Sequence, residues 1–128
     1  MITPNKLTAL AVALLIPLAT AGPAFAMWQP YREDASVVAS FDYDSFASIQ
    51  GKPSVRVRWH YVTPRNGVGG VKIQFTADCA ARKLFEIAST PYDPQGNYME
   101  SDQHQDQPKE YAVTPGSLNE ATYKLLCR

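Results

Sequence analysis

The feature that most constrains the fold is a pair of cysteines, Cys79 and Cys127, the only two in the chain. Cys79 lies in the middle of the sequence, and Cys127 is the penultimate residue. If a disulfide joins them, the C-terminal segment is tied back to the middle of the protein and the residues between them form one closed unit. Whether the two cysteines form a disulfide depends on the cellular compartment, because disulfides persist in oxidising environments.

The N-terminus indicates export. Lys6 is followed by an apolar run from Leu7 to Leu18 and then by Ala24-Phe25-Ala26, a small-x-small cleavage site typical of secretory signal peptides. We therefore expect residues 1–26 to be a cleaved signal peptide and the mature chain to begin at Met27. The alternative is an uncleaved membrane anchor, although a span needs about 20 apolar residues. In an exported chain the two cysteines are expected to form a disulfide rather than to remain buried free thiols.

Two segments show the alternation expected of a sheet with one buried and one solvated face. The apolar face carries Val55, Val57, Trp59, Tyr61, Val71, Ile73, Phe75, Ala77 and Cys79. The polar face carries Ser54, Arg56, Arg58, His60, Lys72, Gln74, Thr76 and Asp78. We predict that Ser54–Thr63 and Val71–Cys79 form an antiparallel hairpin. Because Cys79 is on the apolar face, the segment that carries its partner is expected to pack there.

Weaker patterns complete the sheet. Strands are predicted at Ser36–Tyr43 and at Leu84–Thr90, the latter with Leu84, Glu86 and Ala88 on one face. The remaining segments are an irregular lead-in at 27–35, a flexible loop at 64–70, a strand or loop at 98–105, and a connector at 108–115.

A helix is expected to close the chain. Ser117 and Glu120 fit a capping box, and Leu118, Ala121 and Leu125 follow at helical spacing. The sequence therefore predicts an α+β fold over residues 36–128, namely a single antiparallel β-sheet with a C-terminal α-helix packed on one face and tethered by a disulfide.

Charge is unevenly distributed. Residues 52–83 are basic and residues 86–110 are acidic, while loss of Lys6 with the leader brings the mature chain to a net charge near −1. That balance argues against nucleic acid as a partner. Arg56, Arg58, His60 and Lys72 form a candidate binding surface for an acidic partner; the alternative is an ordinary solvated sheet face.

Catalytic and metal-binding patterns are absent from the sequence, so no catalytic residue, metal or cofactor is predicted. His104 lies between Asp102 and Asp106, but one histidine in a polar loop does not provide a fixed ligand set. An enzyme would need a buried polar cluster, which the sequence does not reveal. The tyrosines Tyr92, Tyr98 and Tyr111 are candidates for an exposed interaction surface.

Five motifs occur in a fixed order between Ser36 and Arg128. They are Tyr43-Asp44-Ser45, Val55-Arg56-Val57-Arg58-Trp59, Asp78-Cys79-Ala80-Ala81-Arg82, Pro115-Gly116-Ser117 and Cys127. Together they resemble the surface-adhesin protein E family of Gram-negative bacteria. The resemblance implies a disulfide-closed sheet with a C-terminal helix, in an adhesin that engages host matrix proteins and can dimerise.

The chain departs from that family pattern in two places. The residue directly after Ala26 is Met27 rather than a cysteine that could accept a lipid anchor, and Glu110-Tyr111-Ala112 stands where the family often has a tryptophan. We therefore hypothesise a non-enzymatic exported envelope protein, periplasmic or at the cell surface, that binds a host matrix or envelope protein and has no membrane span after signal cleavage. The alternative is a periplasmic inhibitor of a lysozyme or protease that inserts the 64–70 loop into its target. A homodimer formed through an exposed sheet edge is a further expectation.

Overall fold

The computed structural model describes residues 27–128, so the predicted signal peptide lies outside the described part of the chain. The strands are β1 (Trp28–Glu33), β2 (Val37–Asp42), β3 (Ala47–Ile49), β4 (Lys52–Arg65), β5 (Val68–Asp78), β6 (Lys83–Tyr92), β7 (Asp102–Gln103) and β8 (Lys109–Tyr111). A 3-10 turn at Tyr43–Ser45 and one helix, α1 (Leu118–Leu126), complete the described elements.

All eight strands belong to one antiparallel sheet. Its order is β1-β2-β4-β5-β6-β7, with β3 also pairing with β4 and β8 with β6. The long strands β4 and β5 form its centre. The helix packs on one side, so the predicted α+β fold is confirmed.

The predicted parity of the central hairpin is confirmed. Val55 pairs with Phe75 and Val57 with Ile73, and all four side chains are buried in the core. Arg56 and His60, on the polar face, are exposed. Alternation between apolar and polar residues sets which face each side chain occupies, because successive side chains of a strand point to opposite sides.

The predicted irregular lead-in at 27–35 is wrong, because Trp28–Glu33 forms the edge strand β1. It pairs antiparallel with β2, and the register shifts between Pro30 and Arg32. Proline is unfavourable inside a strand because it lacks a backbone N–H, but it is tolerated in an edge strand such as β1. A proline and a bulge also limit pairing of such an edge with another chain.

The predicted flexible loop at 64–70 is also wrong. A two-residue turn, Asn66-Gly67, joins β4 to β5, with φ of 49° and 79°. Positive φ at both positions is the type I′ pattern that matches the twist of a hairpin, and Asn-Gly is its preferred sequence. Gly69 and Gly70 are buried within β5. The central hairpin is therefore longer than expected, although its register shifts between His60 and Arg65.

The C-terminal half of the sheet contains two short strands and a bulge. β7 lies in the segment left open between strand and loop, and β8 lies within the predicted connector; both pair with β6. In β6 the register with β5 shifts after Glu86, so that Ile87 is an extra residue. Glu86 therefore shares the apolar face with Leu84 as predicted, whereas Ala88 pairs with Gln74 on the polar face.

Helix α1 begins as the capping box predicts, with a variation. The Ser117 hydroxyl oxygen accepts a hydrogen bond from the Glu120 amide at 3.1 Å. The Glu120 carboxylate reaches back to the amide of Gly116 rather than of Ser117, whose own amide donates to Thr114 O. The Gly116 bond is the main cause of a lowered pKa for the Glu120 carboxyl.

A chain of hydrogen bonds fixes the helix on the apolar face. Trp59 Nε1 donates to the Tyr31 hydroxyl at 2.9 Å, and Tyr31 and Thr122 share a hydrogen bond of 2.8 Å. The Thr122 hydroxyl in turn donates to Leu118 O. Burial raises the pKa of Tyr31, although its two hydrogen bonds oppose this. These contacts join the first strand, the central sheet and the helix.

The Cys79–Cys127 disulfide is present, with a Cα–Cα distance of 5.5 Å. Helix α1 ends at Leu126, and Cys127 is extended, with φ of −121° and ψ of 101°. Cys79 was predicted on the apolar face of a strand, but β5 ends at Asp78 and Cys79 lies in the exposed turn that follows. The bridge therefore joins the end of the helix to the end of the strand, at the margin of the core.

Candidate functional site

The four residues of the predicted binding surface lie on the polar face of β4 and β5. Arg58 is directly opposite Lys72 in the strand register, His60 is opposite Gly70, and Arg56 is opposite Gln74. Two positive charges therefore face each other at the centre of the sheet. In the part of the chain that the structure describes, neither Arg58 nor Lys72 makes an ion pair.

Arg56 differs from the other three because it is bound within the protein. Its Nη2 lies 2.9 Å from Asp42 Oδ2, and the Asp42 side chain is only 4% exposed. The second oxygen of Asp42 accepts a hydrogen bond from the Asp44 amide at the start of the 3-10 turn. A charge that compensates a buried carboxylate is not free for a partner, so we assign Arg56 a structural part.

Two aromatic side chains flank the unpaired charges. Arg58 Cζ lies 4.7 Å and Lys72 Nζ 5.7 Å from the centre of the Trp28 ring, within the range of cation–π contacts. Lys72 Nζ also donates to the Tyr98 hydroxyl at 2.9 Å. Arg58, Lys72, Trp28 and Tyr98 form what we call the cation–aromatic cluster. Sequence reasoning missed Trp28 because its segment was not recognised as a strand.

His60 is held beside this cluster by Tyr92. The two rings are stacked, and His60 Nδ1 shares a hydrogen bond of 2.9 Å with the Tyr92 hydroxyl. The Tyr92 ring lies over Gly70, where a Cβ atom would come within 2.2 Å of the hydroxyl oxygen. Burial raises the pKa of Tyr92, although the charge of Arg58 opposes the change. Glycine at position 70 thus makes room for the tyrosine that positions His60.

The three tyrosines predicted as an exposed surface have different environments. Tyr98 is exposed, at 62%, as predicted. Tyr92 is buried, at 7%, so that part of the prediction is wrong. Tyr111 is half-buried and packs edge-on against Phe75 in the core, at 5.4 Å between ring centres.

The opposite, apolar face contains a cavity of about 480 Å³. Its lining includes the aromatic residues Trp59, Tyr61 and Tyr111 and the aliphatic residues Val68, Val71, Ile73 and Pro91, together with Glu86, Ser89, Asp102, His104, Gln107 and Lys109. No residue of α1 lines it. The helix therefore leaves this part of the apolar face uncovered.

A buried polar cluster forms one wall of this cavity. Glu86 is only 6% exposed; its Oε1 accepts a hydrogen bond from the Tyr111 hydroxyl, and its Oε2 lies 2.9 Å from His104 Nε2. The imidazole is at ion-pair distance but outside hydrogen-bond alignment, so buried Nε2 has no aligned partner. Burial, and then the hydrogen bond to Glu86, raise the pKa of Tyr111. Sequence reasoning missed this cluster, since β6, β7 and β8 bring its members together.

Comparison with known proteins identifies the family. A family model described as Surface-adhesin protein E matches residues 28–128. The chain belongs to the surface-adhesin protein E family. The resemblance seen in the motifs is thereby confirmed. No curated protein and no solved structure matched the chain.

The surface-adhesin protein E match covers every element of the sheet and the helix. It begins at Trp28, the first residue of β1, and so includes residues that sequence analysis had placed before the domain. Both the cation–aromatic cluster and the cavity lie inside it. Among residues 27–128, no helix is long and apolar enough to cross a membrane. No group of three or more potential metal-binding side chains occurs in that same range.

Proposed function

We propose that this protein is a non-enzymatic, exported, adhesin-like module of the cell envelope, and that the cation–aromatic cluster on the polar face binds an acidic segment of a partner protein. The observation that carries the proposal is the direct pairing of Arg58 with Lys72, without an ion pair to either within residues 27–128. Like charges directly opposite each other in a sheet are destabilising. A carboxylate supplied by a partner would offset that cost.

The aromatic residues of the cluster favour a protein partner. Tryptophan, tyrosine and arginine are enriched at the energetic centres of protein interfaces. Trp28 and Tyr98 present ring surface beside the charges, and Tyr98 is largely exposed. His60, held by the buried Tyr92, extends this surface along the strand. Membership in a family described as surface adhesins supports a role in attachment.

Binding to purified matrix glycoproteins tests the proposal. Immobilised residues 27–128 should bind at least one of fibronectin, laminin or collagen, and Lys72→Gln should weaken that binding several-fold because it removes one of the two unpaired charges. Lys124→Gln is the matched control, since Lys124 is an exposed lysine on the helix. Equal loss in both variants, or no binding to any of the three proteins, would contradict the proposal.

Location requires its own test. Protease treatment of intact cells should release peptides of this chain if it is displayed at the surface. Protection until the outer membrane is permeabilised would place it in the periplasm and would count against adhesion to host matrix.

A second proposal is that the protein inhibits a lysozyme or protease through the exposed tip of the central hairpin. Residues 62–67 are exposed, and Arg65 Cζ lies 4.3 Å from the centre of the Tyr61 ring. The tight Asn66-Gly67 turn sets the backbone conformation at the tip, which lowers the conformational entropy lost when such a tip enters the cleft of an enzyme. Stoichiometric inhibition of lysozyme or trypsin that Arg65→Ala abolishes would support this function; absence of inhibition by the unmodified protein would refute it for these enzymes.

A further inference from the structure

The cavity on the apolar face is separate from the proposed adhesive surface. It lies across the sheet from the cation–aromatic cluster, so a ligand in one site does not touch the other. Its volume of about 480 Å³ falls within the range of small-molecule sites in proteins. A ligand of that size would rest on the part of the sheet that α1 does not cover.

The chemistry of the wall limits what the cavity can hold. A buried carboxylate has acceptor positions for about four hydrogen bonds, yet within residues 27–128 Glu86 receives one aligned donor, the Tyr111 hydroxyl. His104 faces its other oxygen without aligning. A buried charge without full compensation is costly. The carboxylate therefore retains capacity for a donor that arrives from the cavity.

Other charged groups on the wall do not supply that donor. Lys109 lines the cavity, but its Nζ lies 5.4 Å from the centre of the Tyr111 ring and makes no ion pair with Glu86. Asp102 is 3.6 Å from His104 Nδ1 and adds a second negative charge at the rim. Apart from the imidazole of His104, the charged groups that line the cavity are two carboxylates and one ammonium. The excess of carboxylates favours a cation.

We propose that the cavity binds a small primary amine carried on an aromatic or aliphatic body. The ammonium group donates hydrogen bonds to Glu86. The aromatic side chains of Trp59, Tyr61 and Tyr111 line the space around it. The body of the ligand packs on Val71, Ile73 and Pro91. An anionic ligand of the same shape would meet the Glu86 charge and be rejected.

Tryptophan fluorescence gives a direct test, because Trp59 lines the cavity and Trp28 is the other of two tryptophans in the chain. In a Trp28→Phe background, Trp59 becomes the only reporter. Titration at pH 8 with phenethylamine should give a saturable change. Phenethyl alcohol and 3-phenylpropionate, which lack the positive charge, should bind at least roughly ten-fold more weakly.

Variants localise the effect. Glu86→Gln keeps the volume of the side chain and removes its charge, and should weaken phenethylamine binding by at least about ten-fold. The matched control Glu110→Gln removes an exposed carboxylate outside the cavity and should leave the affinity unchanged. Full affinity in Glu86→Gln, or equal binding of the anion, would overturn the proposal.

Measurement on the unmodified protein covers the case in which Glu86→Gln fails to fold. Phenethylamine should shift the amide NMR signals of Val71, Ser89 and His104, which line the cavity. Signal shifts confined to residues of the polar face, or no signal shifts up to about 10 mM amine, would also overturn the proposal that the cavity binds an amine. Because the cavity and the adhesive surface are on opposite faces, either proposal can fail without the other.

Discussion

Removal of the disulfide is the perturbation whose size follows most directly from the structure. Cys79 and Cys127 are 48 positions apart, and in the chain-entropy model a bridge that closes a loop of this length contributes about 4 kcal/mol. A domain of this size has a total stability of about 5–15 kcal/mol. The Cys79→Ala/Cys127→Ala double variant should therefore lose a large share of its free energy of unfolding.

The variant is nevertheless expected to fold. A nine-residue helix is too short to persist alone in water, but α1 keeps its contacts with the sheet. Thr122 and Tyr123 are buried, and the Tyr123 hydroxyl donates to Cys79 O, a backbone atom that substitution leaves in place. The loss should appear as lowered stability of the whole domain.

Urea unfolding, followed by tryptophan fluorescence and by circular dichroism, measures this loss. The expected result is a free energy of unfolding lower by about 4 kcal/mol and a melting temperature lower by more than about 15 °C. The unmodified protein in reductant should match the double variant, since Cys79 lies in an exposed turn. A loss under about 1 kcal/mol would refute the chain-entropy argument, and loss of the helical signal alone would show that the bridge stabilises only α1.

Three further outcomes are expected. Gly70→Ala should lower the free energy of unfolding by about 1–3 kcal/mol in urea, because the new Cβ would lie 2.2 Å from the Tyr92 hydroxyl oxygen and 2.7 Å from the backbone O of Trp59; no change would contradict the close packing at Gly70. Arg58→Glu should stay within about 0.5 kcal/mol of the parent by the same measurement, since an acid opposite Lys72 relieves repulsion, and severe destabilisation would contradict its placement on the polar face. The lowered pKa of Glu120 means that its stabilising contribution is complete above its ordinary value of 4.5 and is lost as the pH falls through the lower, folded-state value. Glu120→Gln should therefore narrow the difference in melting temperature between about pH 6 and pH 3, and an unchanged difference would contradict this account.

Local patterns were sufficient for much of the fold. Alternation in the central strands correctly placed Val55 and Phe75 in the core. The disulfide was predicted from the two cysteines together with the expected export of the chain. The start of the helix followed from Ser117 and Glu120, because capping depends on residues only three apart.

What the sequence did not reveal depends on contacts between distant segments. Trp28 belongs to an edge strand whose pairing overrides the local signal of Pro30. Glu86 and Tyr111 lie in β6 and β8, and His104 directly follows β7. The strands β7 and β8 are too short to show alternation. The buried cluster therefore could not be inferred before the pairing of these strands with β6 was known.

The bulge in β6 changes which side of the sheet the following residues face. If Ile87 were paired with β5 like its neighbours, strict alternation would place Tyr92 on the cavity side of the sheet and Ser89 and Pro91 on the other side. Because Ile87 is an unpaired extra residue, the alternation restarts after it. The same strand therefore places the Glu86 carboxylate on one side of the sheet and Tyr92, the partner of His60, on the other. Loss of Ile87 would leave every later side chain of β6 on its present side of the sheet. It would also remove the carbonyl that accepts a hydrogen bond from the His104 amide, so the bulge both sets the faces of β6 and holds the cavity wall.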